Sequence, residues 1–111
     1  MNKVELIGRL TKDPEIRYSN GDNPMMIANF TLAVNRRMPN AQGEYEADFI
    51  RCVSFGKTAE FADKYFHQGT KIAVCGRIQT GSYTNRDRQK IYTTVVVVEE
   101  QEFAESRKDK Q

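Results

Sequence analysis

Alternation of side-chain character in two stretches of this sequence restricts the fold to one built mainly from β-strands. On a strand, side chains two positions apart point to the same side. Residues 48–55 divide into two such sets, with Ile50 and Cys52 on one side and Phe49, Arg51, Val53 and Phe55 on the other. Residues 71–83 divide in the same way, with Ile72, Val74 and Ile78 opposite Lys71, Arg77 and Tyr83. We therefore expect strands with an aliphatic core face and a second face of rings and cations.

Size and composition indicate one globular domain. The chain has 111 residues, of which 29% are charged and 39% hydrophobic, and these values are ordinary for a soluble folded protein. No apolar run approaches the ~20 residues of a membrane span, and the N-terminal segment lacks the apolar core of a signal peptide. The sequence predicts a cytoplasmic protein with no membrane partner.

The side chains that serve as metal ligands or catalytic groups are too few to form a site. The two cysteines, Cys52 and Cys75, have no CxxC partner, and the only histidine is His67, whereas a structural zinc site needs about four such ligands. We expect two reduced, packed thiols. Three carboxylates alternate along a predicted hairpin and are expected to be solvated: Glu44, Glu46 and Asp48. The sequence predicts no metal, no cofactor and no enzymatic activity.

Hydrophobic period and turn residues predict the order of the elements. Three strands come first, over residues 4–10, 27–35 and 45–55, and residues 15–18 continue the first. A helix follows over residues 58–67, with Thr58 as its N-terminal cap and Gly69 at its C-terminal stop. The fourth strand begins at residue 71, and the fifth covers residues 91–98. This is the order of an OB-fold, an all-β, five-stranded Greek-key barrel with one helix between strands 3 and 4.

Three single residues carry expectations about packing. Gly8 is expected to bend the first strand, Gly76 to mark a point of close packing in the barrel, and Phe103 to hold the end of the last strand. We place the domain at residues 1–104 and expect residues 105–111 to be a short, charged, disordered tail.

Rings beside cations on an exposed strand face favour single-stranded nucleic acid, because rings stack on unpaired bases and cations follow the phosphates. The net charge is only +2, divided into +4 over residues 1–98 and −2 over residues 99–111. This distribution is compatible with phosphate binding but does not demand it.

Several segments also resemble the bacterial single-stranded DNA-binding protein family. They are residues 2–4 (Asn-Lys-Val), 8–18 (Gly-Arg-Leu-Thr-Lys-Asp-Pro-Glu-Ile-Arg-Tyr), 55–60 (Phe-Gly-Lys-Thr-Ala-Glu), 76–80 (Gly-Arg-Ile-Gln-Thr) and 92–94 (Tyr-Thr-Thr). Their order and spacing match over residues 1 to about 104. The resemblance implies an OB-fold that assembles as a homotetramer and binds single-stranded DNA without sequence preference in replication, recombination and repair.

The resemblance assigns base stacking to Phe49, Phe55 and Tyr83 and phosphate contacts to Arg51 and Lys57. Two of the stacking positions are commonly tryptophan in the family, and this chain has no tryptophan. A further stacking position falls near residues 37–38, where no aromatic residue is present. From their places in the predicted strands and loops, six other cations are candidate DNA contacts: Arg36, Arg37, Arg77, Arg86, Arg88 and Lys90.

Family members usually continue into a flexible linker and an acidic tip that recruits other replication and repair proteins. This sequence has neither, so recruitment through a tail is not expected of it. An alternative function is that of an OB-fold interaction module in a replication or primosome assembly, with secondary nucleic-acid binding. The residues alone do not distinguish DNA from RNA, since stacking and phosphate contacts do not sense the 2′-hydroxyl.

Overall fold

Six strands and one helix make up the fold in the computed structural model, which describes residues 1–105. The strands are β1 (Val4–Leu10), β2 (Glu15–Tyr18), β3 (Met26–Asn35), β4 (Ala47–Phe55), β5 (Lys71–Thr84) and β6 (Lys90–Phe103), and the helix α1 is Lys57–Tyr65. Of the predicted tail at residues 105–111, residues 106–111 lie outside the described part. Glu105 lies within it and forms an ion pair with Arg9 at 3.3 Å.

The sheet closes on itself and confirms the predicted OB-fold. The strand order is β1-β5-β6-β4-β3-β2, and an additional pairing of β1 with β3 joins the two sides of the five-stranded part. β1 closes the barrel: it pairs with β5 from Val4 to Arg9 and with β3 at Arg9 and Leu10. Residues 15–18 form a separate strand, β2, which resumes the pairing of the first strand after a break at residues 11–14, because it lies along the same edge of β3 as the end of β1.

Two glycines stand where the barrel strands come closest. A side chain at Gly76 would overlap the backbone carbonyl of Val97, next to a register shift between Cys75 and Gly76. At Gly8 the first side-chain carbon would lie 2.6 Å from the carbonyl oxygen of Ala33. The close packing expected at Gly76 is therefore confirmed. Gly8 likewise allows the backbones of β1 and β3 to approach closely.

The interior of the barrel contains aliphatic side chains and one aromatic cluster. Leu10, Leu32, Ile72 and Phe66 are among its fully buried side chains. Phe66 follows α1 and meets the ring of Phe103 edge to face at 5.6 Å. Phe103 thus holds the end of β6 as expected, but that strand continues five residues beyond the predicted end at Val98.

The helix differs from its prediction at both ends. It begins at Lys57, its N-cap is Gly56 with φ of 63°, and no side chain caps it. The expected cap by Thr58 is wrong, because Thr58 is already the second residue of the helix. The helix ends at Tyr65 rather than His67, and Gly69 lies beyond it in the left-handed region at φ 89°. Within residues 1–105, no helix is long and apolar enough to cross a membrane.

Candidate nucleic-acid interface

Strand register determines which side chains share the outer face of the barrel. Paired residues of neighbouring strands point to the same side of a sheet. Val53 of β4 pairs with Val97 of β6, and Val97 pairs with Arg77 of β5. The alternate residues of β4 and β5 that are in phase with these positions therefore lie on one continuous face, and we call this set the ring face: Phe49, Arg51, Phe55, Arg77 and Tyr83.

The three predicted stacking rings are accessible on the ring face. Phe49 is 67% exposed, Tyr83 57% and Phe55 43%. A ring of this size on a strand is normally a packing residue, since burying it removes a large apolar area from water. In this monomer the three rings leave much of that area in contact with solvent. They are therefore available for stacking.

A small apolar cluster lies among the rings and cations of this face. Val53 is buried there with Ile27 and Val97, and the partly buried Val95 packs against them. The sequence alternation placed Val53 with the rings but did not reveal this cluster. The valine run 95–98 does predict burial on both sides of the sheet, because residues buried on both sides form continuous apolar runs.

A polar groove of about 420 Å³ adjoins the ring face. The segment between β1 and β2 forms one wall with Thr11, Lys12 and Asp13, and Arg51 belongs to another part of the lining. Asp13 is held in place, since its carboxylate accepts a hydrogen bond of 2.8 Å from the backbone N–H of Gln68. Besides Arg51, the groove is lined by hydroxyl, amide and carboxylate side chains, including Thr31, Asn29 and Glu15.

Four of the predicted cations occupy four different settings. Arg51 is exposed on the ring face, and Lys57 is exposed at the start of α1. Arg77 is half-buried and donates a hydrogen bond of 2.9 Å from Nη1 to Oε1 of Gln79. Arg37 is exposed in the loop after β3.

Arg36 has a different environment from the one that the sequence suggested. Its guanidinium donates to both carboxylate oxygens of Asp48, at 2.8 to 3.2 Å, and to Glu46 at 3.0 Å. Glu46 and Asp48, expected to be merely solvated, are thus ion-paired across the root of the β3–β4 hairpin. The hydrogen bond from Arg36 lowers the pKa of Asp48 below its usual range, and the same bond raises the pKa of Arg36.

Arg17 is a cation on this face that sequence reasoning missed. It pairs with Ile27, and Ile27 pairs with Phe55, so the three form one row across β2, β3 and β4. Arg17 is exposed. The sequence predicts that residues 15–18 continue the first strand but does not align Arg17 with Phe55, and the row appears only when β2 is paired with β3.

The outer halves of β5 and β6 form a two-stranded arm that carries the three tip cations. The arm comprises residues 78–84 and 90–95, and its loop holds Arg86 and Arg88. Asn85 organises the loop, because its side-chain oxygen accepts hydrogen bonds from the backbone N–H groups of Asp87 and Gln89, both at 2.9 Å. Arg88 adopts a positive φ of 63°. Arg86, Arg88 and Lys90 are exposed at the end of the arm.

The environment of the Cys52 thiol is unfavourable for catalysis. Burial raises the pKa of the Cys52 thiol to about 12, so this side chain is protonated and unreactive at neutral pH. Among residues 1–105, no group of three His, Cys, Asp or Glu side chains is placed to hold a metal ion. What the face offers is stacking surface and positive charge.

Comparison with known proteins gives one consistent result. Residues 1–104 match the single-strand binding protein family. A single-stranded DNA-binding protein of Halalkalibacterium halodurans is 50% identical over 96% of this chain and 62% of its own length. Proteins with the same description from Clostridium perfringens and Bacillus cereus are 52% and 49% identical over 96% of this chain, and over 67% and 62% of their own lengths. The chain therefore spans about three-fifths to two-thirds of these relatives.

Proposed function

Because this chain belongs to the single-strand binding protein family, we propose that it binds single-stranded DNA without sequence preference. The observation that carries the proposal is the ring face, on which three exposed rings alternate with cations along β4 and β5. Binding, and not catalysis, is the proposed activity. The DNA intermediates of replication, recombination and repair would be its substrates, and the bacterial cytoplasm, at the nucleoid, its place of action.

Stacking supplies the part of the affinity that ignores base identity. Every base has a π-face, and stacking on an aromatic side chain contributes roughly 1–3 kcal/mol per base. Phe49, Phe55 and Tyr83 are the proposed stacking residues. Duplex DNA hides its base faces, so this contribution discriminates in favour of single strands.

Cations supply the second part, which depends on salt. Each phosphate neutralised on a single strand lowers log K by about 0.7 per log unit of salt. We assign these contacts to Arg51, Lys57, Arg77 and the tip cations, and we add Arg17 because it lies in the row of Phe55. Arg37 remains a candidate from the hairpin. Arg36 is expected to contribute less, since Asp48 and Glu46 already offset its charge.

We also propose that the chain assembles as a homotetramer, as the family resemblance implies. Two features of β1 support a contact between copies. Among the described residues, the first half of β1 pairs with β5 along one edge and with no strand along its other edge. Ile7 on the same strand is 56% exposed. An unpaired edge and an exposed aliphatic side chain are both typical of surfaces that another chain covers.

The first experiment measures binding of the protein to fluorescently labelled dT35 at 50 and 300 mM salt, with unlabelled duplex DNA and single-stranded RNA as competitors. We expect the protein to bind dT35 at both salt concentrations, and we expect duplex DNA not to displace the bound dT35. Binding that is lost at 300 mM, or displaced equally by duplex, would contradict the proposal and leave only an electrostatic surface.

A variant series then tests the role of the rings. Phe49→Ala should weaken binding to dT35 by roughly 1–3 kcal/mol, because one stacking ring is lost. Phe49 is exposed, so circular dichroism should show an intact fold. Tyr18→Ala is the matched control, since Tyr18 is also exposed but has the opposite phase to Arg17 on β2. Unchanged affinity in a folded Phe49→Ala protein would contradict the stacking role.

A further inference from the structure

The arm formed by β5 and β6 has a second face that the ring face does not include. On the side of the ring face, register pairs Gln79, Gly81 and Tyr83 of β5 with Val95, Thr93 and Ile91 of β6. The alternate pairs are Thr80 with Thr94, Ser82 with Tyr92, and Thr84 with Lys90. The second face thus carries a row of hydroxyl groups, one ring and one ammonium group.

The second face lies outside the barrel interior and is exposed to solvent. It continues the phase of Val96 and Val98, which are buried in the core, but Ile78 beside Val96 is already 44% exposed. Tyr92, farther out, is 75% exposed, more than any of the three rings on the ring face. Its ring therefore contributes little to packing within the monomer.

Positive charge accompanies this ring. Lys90 Nζ lies 5.5 Å from the centre of the Tyr92 ring, within the range of a cation–π contact. The tip at residues 84–90 carries three cations, Arg86, Arg88 and Lys90, against one carboxylate, Asp87. A polyanion near this face would meet a ring, hydroxyl donors and positive charge together.

The arm is anchored at its root, and its tip loop is ordered by internal hydrogen bonds. At its root, the Asn2 amide donates to the carbonyl of Ile78 and accepts from its N–H, both at 2.8 Å. At its tip, Asn85 organises the loop through two backbone hydrogen bonds. The register of β5 and β6 places Tyr83 and Tyr92 on opposite sides of a ribbon only two strands wide.

We infer that single-stranded DNA contacts both faces of the arm, with Tyr92 as a stacking ring on the second face and Lys90 as its phosphate partner. The inference rests on the proposed function and extends it to a surface outside the ring face. A strand leaving Tyr83 would cross the ribbon and stack on Tyr92. The hydroxyl groups of Thr80, Ser82 and Thr94 would donate to its phosphates.

The test is binding to dT35 by the full chain and three variants. Tyr92→Ala should weaken binding roughly 5- to 140-fold, the range that stacking on one ring gives. Tyr92→Phe keeps the ring and should bind within about twofold of the unmodified protein, because stacking needs the π-face and not the hydroxyl. Tyr18→Ala, an exposed tyrosine outside the arm, should also leave the affinity unchanged.

Photo-crosslinking to an oligonucleotide containing 5-iodouracil supplies direct evidence of contact. We expect crosslinked peptides that include both Tyr83 and Tyr92, and light scattering should give the same mass for Tyr92→Ala as for the unmodified protein. Crosslinks at Tyr83 with none at Tyr92, or full affinity in Tyr92→Ala, would overturn the inference while the proposed function stands. A changed mass in Tyr92→Ala would assign the ring to a subunit contact and also overturn it. Failure of the unmodified protein to bind dT35 would reject both proposals.

Discussion

At the scale of single residues, Gly76 carries the tightest steric constraint in the barrel. A methyl group there would overlap the Val97 carbonyl, which is backbone and cannot rotate away. We expect Gly76→Ala to lower the free energy of unfolding by about 1–3 kcal/mol or more, the usual cost of overpacking. Gly81→Ala is the control, because its new methyl would meet only the Thr93 hydroxyl, at 3.2 Å, on the exposed arm. Urea denaturation of both variants measures the difference, and equal midpoints would contradict this account.

The thiol of Cys52 should be protected from alkylation in the folded protein. Its side chain is buried, and burial raises its pKa to about 12. Since the thiolate is the reactive form, we expect iodoacetamide at pH 8 to leave Cys52 unmodified in the folded protein and to modify it in urea. Peptide mass spectrometry locates the label. Modification of Cys52 at the same rate with and without urea would show that the site is open to solvent.

Local alternation predicted single residues well where one strand sufficed. Phe49 and Phe55 follow from the period of β4, and their exposure agrees with the prediction. Arg17 could not be found in this way, because its neighbour Phe55 is two strands away. The environment of Arg36 was missed for a similar reason, since Asp48 approaches it only when the hairpin closes.

At the scale of elements, the root of the β3–β4 hairpin should respond to acid. Arg36 holds the pKa of Asp48 below its usual value of 3.8 through a hydrogen bond and charge attraction. A carboxylate with a depressed folded-state pKa adds stability above its unfolded pKa and loses it as pH falls through the folded pKa. The contribution of Asp48 should therefore be complete at pH 6 and decline below about pH 3.8.

Melting temperatures at pH 6 and pH 3 measure this effect. Asp48→Asn should melt below the unmodified protein at pH 6, and the difference should shrink at pH 3, because protonation of Asp48 then weakens the ion pair that the variant lacks at either pH. Asp22→Asn, in the exposed loop between β2 and β3, is the matched carboxylate control. An equal difference at both pH values would mean that the charge of Asp48 contributes nothing to the hairpin.

Element boundaries were predictable where side chains alternate and not where backbone pairing alone decides. The charge of segment 99–102 favours a solvated segment beyond the last strand. The segment nevertheless pairs with β5, so β6 extends to Phe103. The start of α1 was misassigned because Thr58 is a common capping residue. Here Gly56 makes the turn with a positive φ, so that no side-chain cap is formed.

At the scale of the whole molecule, element order predicted the barrel, but its closure depends on β1 reaching both β5 and β3. Net charge was least informative, because +2 over the whole chain does not locate the cations. Register does so by placing Arg51 and Arg77 on one face. The arm is the clearest case, since its two faces become distinct only through the pairing of β5 with β6.

Assembly is the last property that the whole molecule should display. The partly unpaired edge of β1 and the exposed Ile7 support contacts between copies, and we expect light scattering to give a mass near four times 12.8 kDa. Ile7→Glu, which places a charge on this surface, should shift the mass toward smaller species, whereas Glu60→Gln on the helix should not. Circular dichroism checks that each variant is folded. A single 12.8 kDa species of the unmodified protein across the concentration series would contradict the tetramer, and an unchanged mass in Ile7→Glu would place the contact elsewhere than β1.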